Sequence, residues 1–84
     1  MRDAEEVEFP PTSLRRVQAR RPHVWVRVGG QWRRGWVEAW VRLPSGEWIV
    51  WSRWQVGKPS AKYAWLLYSP DTIRPRDGEE PPEG

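Results

Sequence analysis

The sequence predicts an all-β fold, about five short antiparallel strands curled into one small barrel. Three observations predict it. From Val24 onward, side chains of opposite character alternate with a period of two, the repeat of a half-buried strand. Turns rich in Gly and Pro (Gly29-Gly30, Pro44-Ser45-Gly46, Gly57-Lys58-Pro59) part these runs at hairpin distances, and strands joined so closely pair antiparallel. Eight of the 84 residues are Trp. One such ring buries about 150–250 Å², so a small sheet fills a core without disulfides, and curling hides its edges.

Taken in order, residues 1–11 combine acids with Pro10-Pro11 and read as a flexible N-terminus. Residues 12–22 read as a short helix or a basic arm. Thr12 or Ser13 is placed to cap it, Leu14 and Val17 lie three apart, and Pro22 ends it. The barrel is expected over 23–76. Its first strand alternates Val24, Val26 and Val28 with Trp25 and Arg27 up to the Gly29-Gly30 turn. Its second sets Gly35, Val37, Ala39, Val41 and Leu43 toward the core, and Arg34, Trp36, Glu38, Trp40 and Arg42 outward. In the third, Glu47 to Trp54, either parity fits the alternation. The charges on Glu47 and Arg53 favour Trp48, Val50, Ser52 and Trp54 inward, with Ile49 and Trp51 outward. Residues 55–62 form a loop, and Tyr63 to Tyr68 a fourth strand. Ser69 to Ile73 is one tight helical turn with Ser69 as cap and Pro70 at its first position. Arg74 to Arg76 forms a last short strand, and residues 77–84, DGEEPPEG, a disordered acidic tail.

The series Val24-x-Val26-x-x-Gly29-x-x-Trp32-x-x-Gly35-x-Val37-x-Ala39 resembles the opening of Tudor, chromo-barrel and related small SH3-like barrels. Gly46, Trp48, Val50 and Trp51 resemble their third strand. Pro70-Asp71-Thr72-Ile73-Arg74-Pro75 resembles the one-turn helix before their last strand. The resemblance covers residues 23–76 and implies an SH3-like barrel. Members of that superfold bind methylated lysine or arginine, proline-rich peptides, DNA or RNA, and some are structural parts of larger assemblies. The fold alone therefore does not choose the ligand. By position, the resemblance would set Trp32 and Trp51 near an aromatic-cage region, with Glu38 or Glu47 as the acids at hand.

Composition bounds the chemistry. A chain of 84 residues makes one domain. The absence of Cys excludes disulfides, thiolate metal sites and thiol catalysis, and a single histidine, His23, excludes a His-rich metal site. His23, beside Pro22, reads as a linker or rim residue. No apolar run reaches the ~20 residues of a membrane span, and the N-terminus carries no apolar signal segment. A cytoplasmic protein with no membrane partner is expected. Gly29-Gly30 lacks the spacing of a phosphate loop, and the acids of 23–76 are only Glu38, Glu47 and Asp71. The expectation is a non-enzyme with no catalytic residues, no cofactor and no metal. Twelve Arg against two Lys, with no Asn, fit a GC-rich genome such as an actinobacterium's.

Charge is unevenly spread: +1 over residues 1–22, +6 over 23–76 and −4 over 77–84. A basic middle attracts polyanions. The outward parities set Trp25 and Arg27, then Trp36, Trp40 and Arg42, then Trp51 and Arg53 on one face, with Trp32, Arg33 and Arg34 beside the first turn. Bases stack on Trp and Arg pairs with phosphate. A non-catalytic module binding DNA or RNA, with weak sequence preference, is the first expectation. The alternative is a protein partner, a homodimer included, because exposed aromatics with Arg anchor such interfaces. Arg also stacks on Trp simply as packing. The acidic tail either solvates the chain or folds back on the basic face.

Overall fold

A computed structural model describes residues 2–20, 22–57, 59–78 and 80–82. The acidic tail expected over 77–84 therefore lies in part outside the described residues, as do Lys58 of the 55–62 loop and Arg21 of the basic arm. All regular structure among the described residues is strand: β1 (Glu6–Val7), β2 (Arg16–Gln18), β3 (His23–Val28), β4 (Gln31–Arg42), β5 (Trp48–Gln55), β6 (Ala61–Leu67) and β7 (Ile73–Pro75). They form one antiparallel sheet in the order β1-β6-β5-β4-β3-β7, with β2 paired to β4 beyond β3.

The hairpins form where turn chemistry allows them. Gly29 and Gly30 both take positive φ, 59° and 73°, which only glycine adopts at little cost and which matches strand twist in a two-residue turn. Gly46, at φ 94°, turns β4 into β5, with Leu43 N donating to Glu47 O at 2.8 Å. Before β7 the chain makes a tight turn in which Ile73 N donates to Ser69 O at 2.9 Å and Asp71 N to Ser69 Oγ at 3.2 Å.

The inner face buries Val24, Val26, Val37, Val50, Trp54, Ala64, Leu66 and Ile73 as one core. Gly35 and Val37 of β4 point there because they pair with Trp54 and Ser52. The register then shifts between Val37 and Ala39, leaving Glu38 as a bulge. A bulge inserts one extra residue and reverses which parity faces which side. Past it, Trp40 and Arg42 pair with Val50 and Trp48 on the inner side, while Ala39 and Val41 pair with Trp51 and Ile49 on the outer side. The bulge lies where β3 gives up the edge of β4 to β2: Val37 N donates to Pro22 O, and Ala19 N to Glu38 O.

Several expectations change accordingly. The sheet has seven strands rather than about five, and its end strands β1 and β7 do not pair, so the sheet is open. Residues 12–20 hold no helix; Arg16–Gln18 is a strand, because the edge of β4 beyond β3 offers unpaired backbone groups that two turns of weak helix cannot match. The aliphatic set of β4 does not share one core, and Trp36, Trp40 and Arg42 do not share one face; the bulge separates them.

Val41, Ile49 and Trp65 form a second core on the outer face. The N-terminal segment covers it. β1 holds the edge of β6 and β2 the edge of β4, so residues 8–15 cross the sheet as a strap. Val7 and Leu14 pack on this core, Pro10 is buried, Phe9 sits 5.8 Å from the Trp51 ring, and the Arg16 guanidinium lies 5.3 Å from the Trp65 ring centre.

Candidate cationic groove

The other half of the outer face has no strap. Register places His23, Trp25 and Arg27 of β3 beside Trp36, Arg34 and Trp32 of β4, and Arg53 of β5 beside Trp36. On the far side of β3, Arg74 pairs with Trp25. Beyond β5, Tyr63 pairs with Arg53. Strand alternation alone aligns these side chains, because each pair lies directly across the ladder.

Rings and guanidinium groups alternate across this half. Arg27 and Arg74 lie 5.7 and 5.3 Å from the Trp32 ring centre. Arg53 lies 5.4 Å from Trp36, and Arg76 6.0 Å from Trp25. His23 meets Trp36 edge-on at 4.6 Å, and Arg76 Nη2 lies 3.0 Å from His23 Nδ1. Carbonyls fix two of the cations further: Arg27 Nη2 donates to Gly30 O at 3.1 Å, and Arg74 Nε to Pro70 O at 2.9 Å. The buried indole N–H of Trp32 has no acceptor among the described residues.

Two adjoining cavities follow the face. One, of about 450 Å³, runs between Arg34, Trp36, Arg53, Tyr63 and Arg76, with Pro59 and Ser60 as its wall. The next, of about 330 Å³, lies among Trp25, Trp32, Arg33, Arg34 and Gln55. Arg34 and Gln55 border both, so they make one continuous groove. No carboxylate lines it among the described residues. Asp3, near the Gly29-Gly30 turn, accepts from Gly30 N at 3.1 Å.

Of the residues singled out from the sequence, Trp25, Arg27, Trp32, Arg34, Trp36 and Arg53 come together here; Arg33 pairs with Val26 on the inner parity and reaches only the groove's edge, bordering as well a cavity with Asp3 and Glu6. Trp25 is the groove's floor, 6% exposed, rather than an outward ring. Trp40 and Arg42 lie on the inner face beyond the bulge, and Trp51 lies under the strap between Phe9, Tyr63 and Trp65. Tyr63, Arg74 and Arg76 also belong to the groove. Tyr63 was legible in β6, where the period of two sets it on the face of Trp65; the two Arg, flanking Pro75, needed the β3–β7 pairing to be placed. Tyr63 is half exposed, its ring stacked on Trp51 at 6.0 Å and 26°.

Among the described residues no group of three or more His, Cys, Asp or Glu side chains gathers as a metal ligand set, and no helix is long and apolar enough to cross a membrane. Compared with protein families, curated proteins and solved structures, the chain matches none.

Proposed function

We propose that this chain is a non-catalytic binding module of the small SH3-like barrel kind, whose outer groove holds single-stranded DNA or RNA. The observation that carries the reading is a groove lined by Arg34, Arg53 and Arg76, with no carboxylate among its described lining residues. A guanidinium stacks through its face and donates hydrogen bonds in its plane. A Trp beneath Arg53 thus leaves N–H donors for phosphate oxygens. It also restricts the side chain beforehand, so less rotamer entropy is lost on binding. Tyr63 supplies the stacking platform for a base, since the faces of Trp32 and Trp36 already carry Arg. Phosphate contacts position and do not specify, so sequence preference is weak.

The barrel reading draws support from two hydrogen bonds by which the N-terminal segment bridges the sheet's open side: Ala4 N to Arg27 O at 2.7 Å, and Leu67 N to Glu5 O at 2.9 Å. A concave groove favours a single strand over a duplex, whose major groove is read by a protruding helix or ribbon.

The test is intrinsic Trp fluorescence during titration with short single- and double-stranded oligonucleotides, at about 50 and about 200 mM salt. Saturable quenching by the single strand, lost steeply at the higher salt, is the expected result. No change at either salt ends the nucleic-acid reading and leaves the same face to a protein partner.

A further inference from the structure

The inner face ends in a second gathering of rings, which the groove does not use. Past the Glu38 bulge, Trp40 meets Trp48 edge-on at 6.1 Å and Tyr68 at 4.9 Å, and Arg42 lies 5.9 Å from the Trp48 ring centre. Beside them a cavity of about 310 Å³ opens among Val24, Trp40, Tyr68 and Ile73, with Arg20 and Arg74 in its wall. Val17, Trp48 and Tyr68 are three of the six large apolar side chains exposed among the described residues, and Val17 pairs with Trp40 across the ladder. A contiguous apolar patch around a socket marks an interaction surface. Arg20, Arg42 and Arg74 border it, and among the described residues no carboxylate lines the cavity.

The strap carries the complement. Phe9 is 75% exposed, the most exposed of the large apolar side chains described, and Glu8 beside it in the chain is exposed as well. We propose that a second copy of this chain covers the socket by inserting its Phe9 among Trp40, Tyr68 and Ile73, with its Glu8 facing Arg20 and Arg42. The knob lies on the strap of the outer face and the socket on the inner face. Contact between two different patches is head-to-tail. Each pair therefore keeps one unused knob and one unused socket, and further copies add at both ends. The contact shares Arg74 with the cationic groove and is tested through residues that lie outside it.

Sedimentation equilibrium of the full chain tests this in three samples. The wild type is expected to gain mass continuously with concentration. Phe9→Ser, which lacks the knob, and Arg20→Glu with Arg42→Glu, which reverses the socket's charge, are each expected to associate at least about tenfold more weakly. An equimolar mixture of the two variants then restores one working contact and stops at a dimer, since neither free end can be extended. All three replaced residues are exposed. Near-ultraviolet circular dichroism of the Trp cluster checks their folding, and Arg20→Glu alone replaces the double variant if the latter fails that check. A wild type that stays monomeric to about 1 mM, a Phe9→Ser variant that associates as the wild type does, or a mixture that does not pair each overturns the proposal.

Discussion

Two halves of one sheet face, separated by a single bulge, use the same residue type in opposite ways. In the strap half, Trp51 and Trp65 lie beneath residues 8–15 and form core with Val41 and Ile49. In the groove half, Trp32 and Trp36 lie beneath guanidinium groups and border open cavities. What differs is the cover. A chain segment that brings its own Val7 and Leu14 completes a hydrophobic contact, and nearly all of Trp65 leaves water. An Arg covers a ring face while keeping its donors hydrated, so the surface stays available to an anion. A count of Trp therefore does not separate core from site; what lies on top of each ring does.

The largest expected effect breaks the strap half. Trp65 is 2% exposed, and Trp65→Ala is expected to cost about 3–5 kcal/mol, enough to unfold much of the population of so small a domain. Urea unfolding followed by circular dichroism reads it. A cost under about 1 kcal/mol would make the strap a loose cover and erase the contrast.

Gly35 joins the two halves through the backbone. A Cβ there would lie 2.6 Å from Val26 Cγ2 and 3.1 Å from Arg53 O. Val26 is fully buried and Arg53 O is main chain, so neither yields easily. Gly35→Ala is expected to cost about 1–3 kcal/mol in denaturant unfolding through overpacking. It also shifts Arg53, so oligonucleotide affinity falls with it; stability lost with affinity intact would uncouple the groove from its floor.

Within the groove, Tyr63→Ala is expected to weaken single-strand binding by about 1–3 kcal/mol while leaving the unfolding midpoint nearly unchanged, as the side chain is half exposed. Binding unchanged within error would move base stacking elsewhere on the face. The smallest effect is Arg53→Gln, expected to lower the slope of log affinity against log salt by about one. A slope untouched by this change would remove Arg53 from the phosphate contacts.

The hairpins were legible because their turns are chemically singular. Gly29-Gly30 and Gly46 mark positive φ, and the apolar alternation around Val24 and Val26 has one consistent reading; around Val50 either parity fits, and only the charges on Glu47 and Arg53 favour the inward set that the core contains. The bulge was not. Trp36-Val37-Glu38-Ala39-Trp40 contains no Gly or Pro, and its alternation runs on without a break, because Trp suits either face of a sheet and hides the reversal. Strands β1 and β2 were illegible for another reason. Two and three residues carry no measurable period, and each forms only because a longer strand leaves an edge open: β6 beside Glu6–Val7, and β4 beside Arg16–Gln18. The groove was legible through β3 and the first half of β4, where residue order matches spatial order. Arg74 and Arg76 join it only through the β3–β7 pairing between strands distant in sequence, whereas Tyr63 follows from the neighbouring β5–β6 pair.

The strap also dictates an order of events. Val7 pairs with Trp65, 58 residues further along the chain, and Ala4 and Glu5 bond to Arg27 and Leu67. The meander of β3 to β6 can assemble from neighbours, whereas β1 has no partner until β6 exists. During synthesis at about 5–20 residues per second, the N-terminal segment therefore waits roughly 3–12 s before its docking site emerges. Through that interval Ile49, Trp51 and Trp65 appear with no cover of their own, and closing so long a loop is entropically slow. The seam that seals the second core is thus the last to form, and the nascent chain is most vulnerable to sticking to its neighbours just before its own first residues return to cover it.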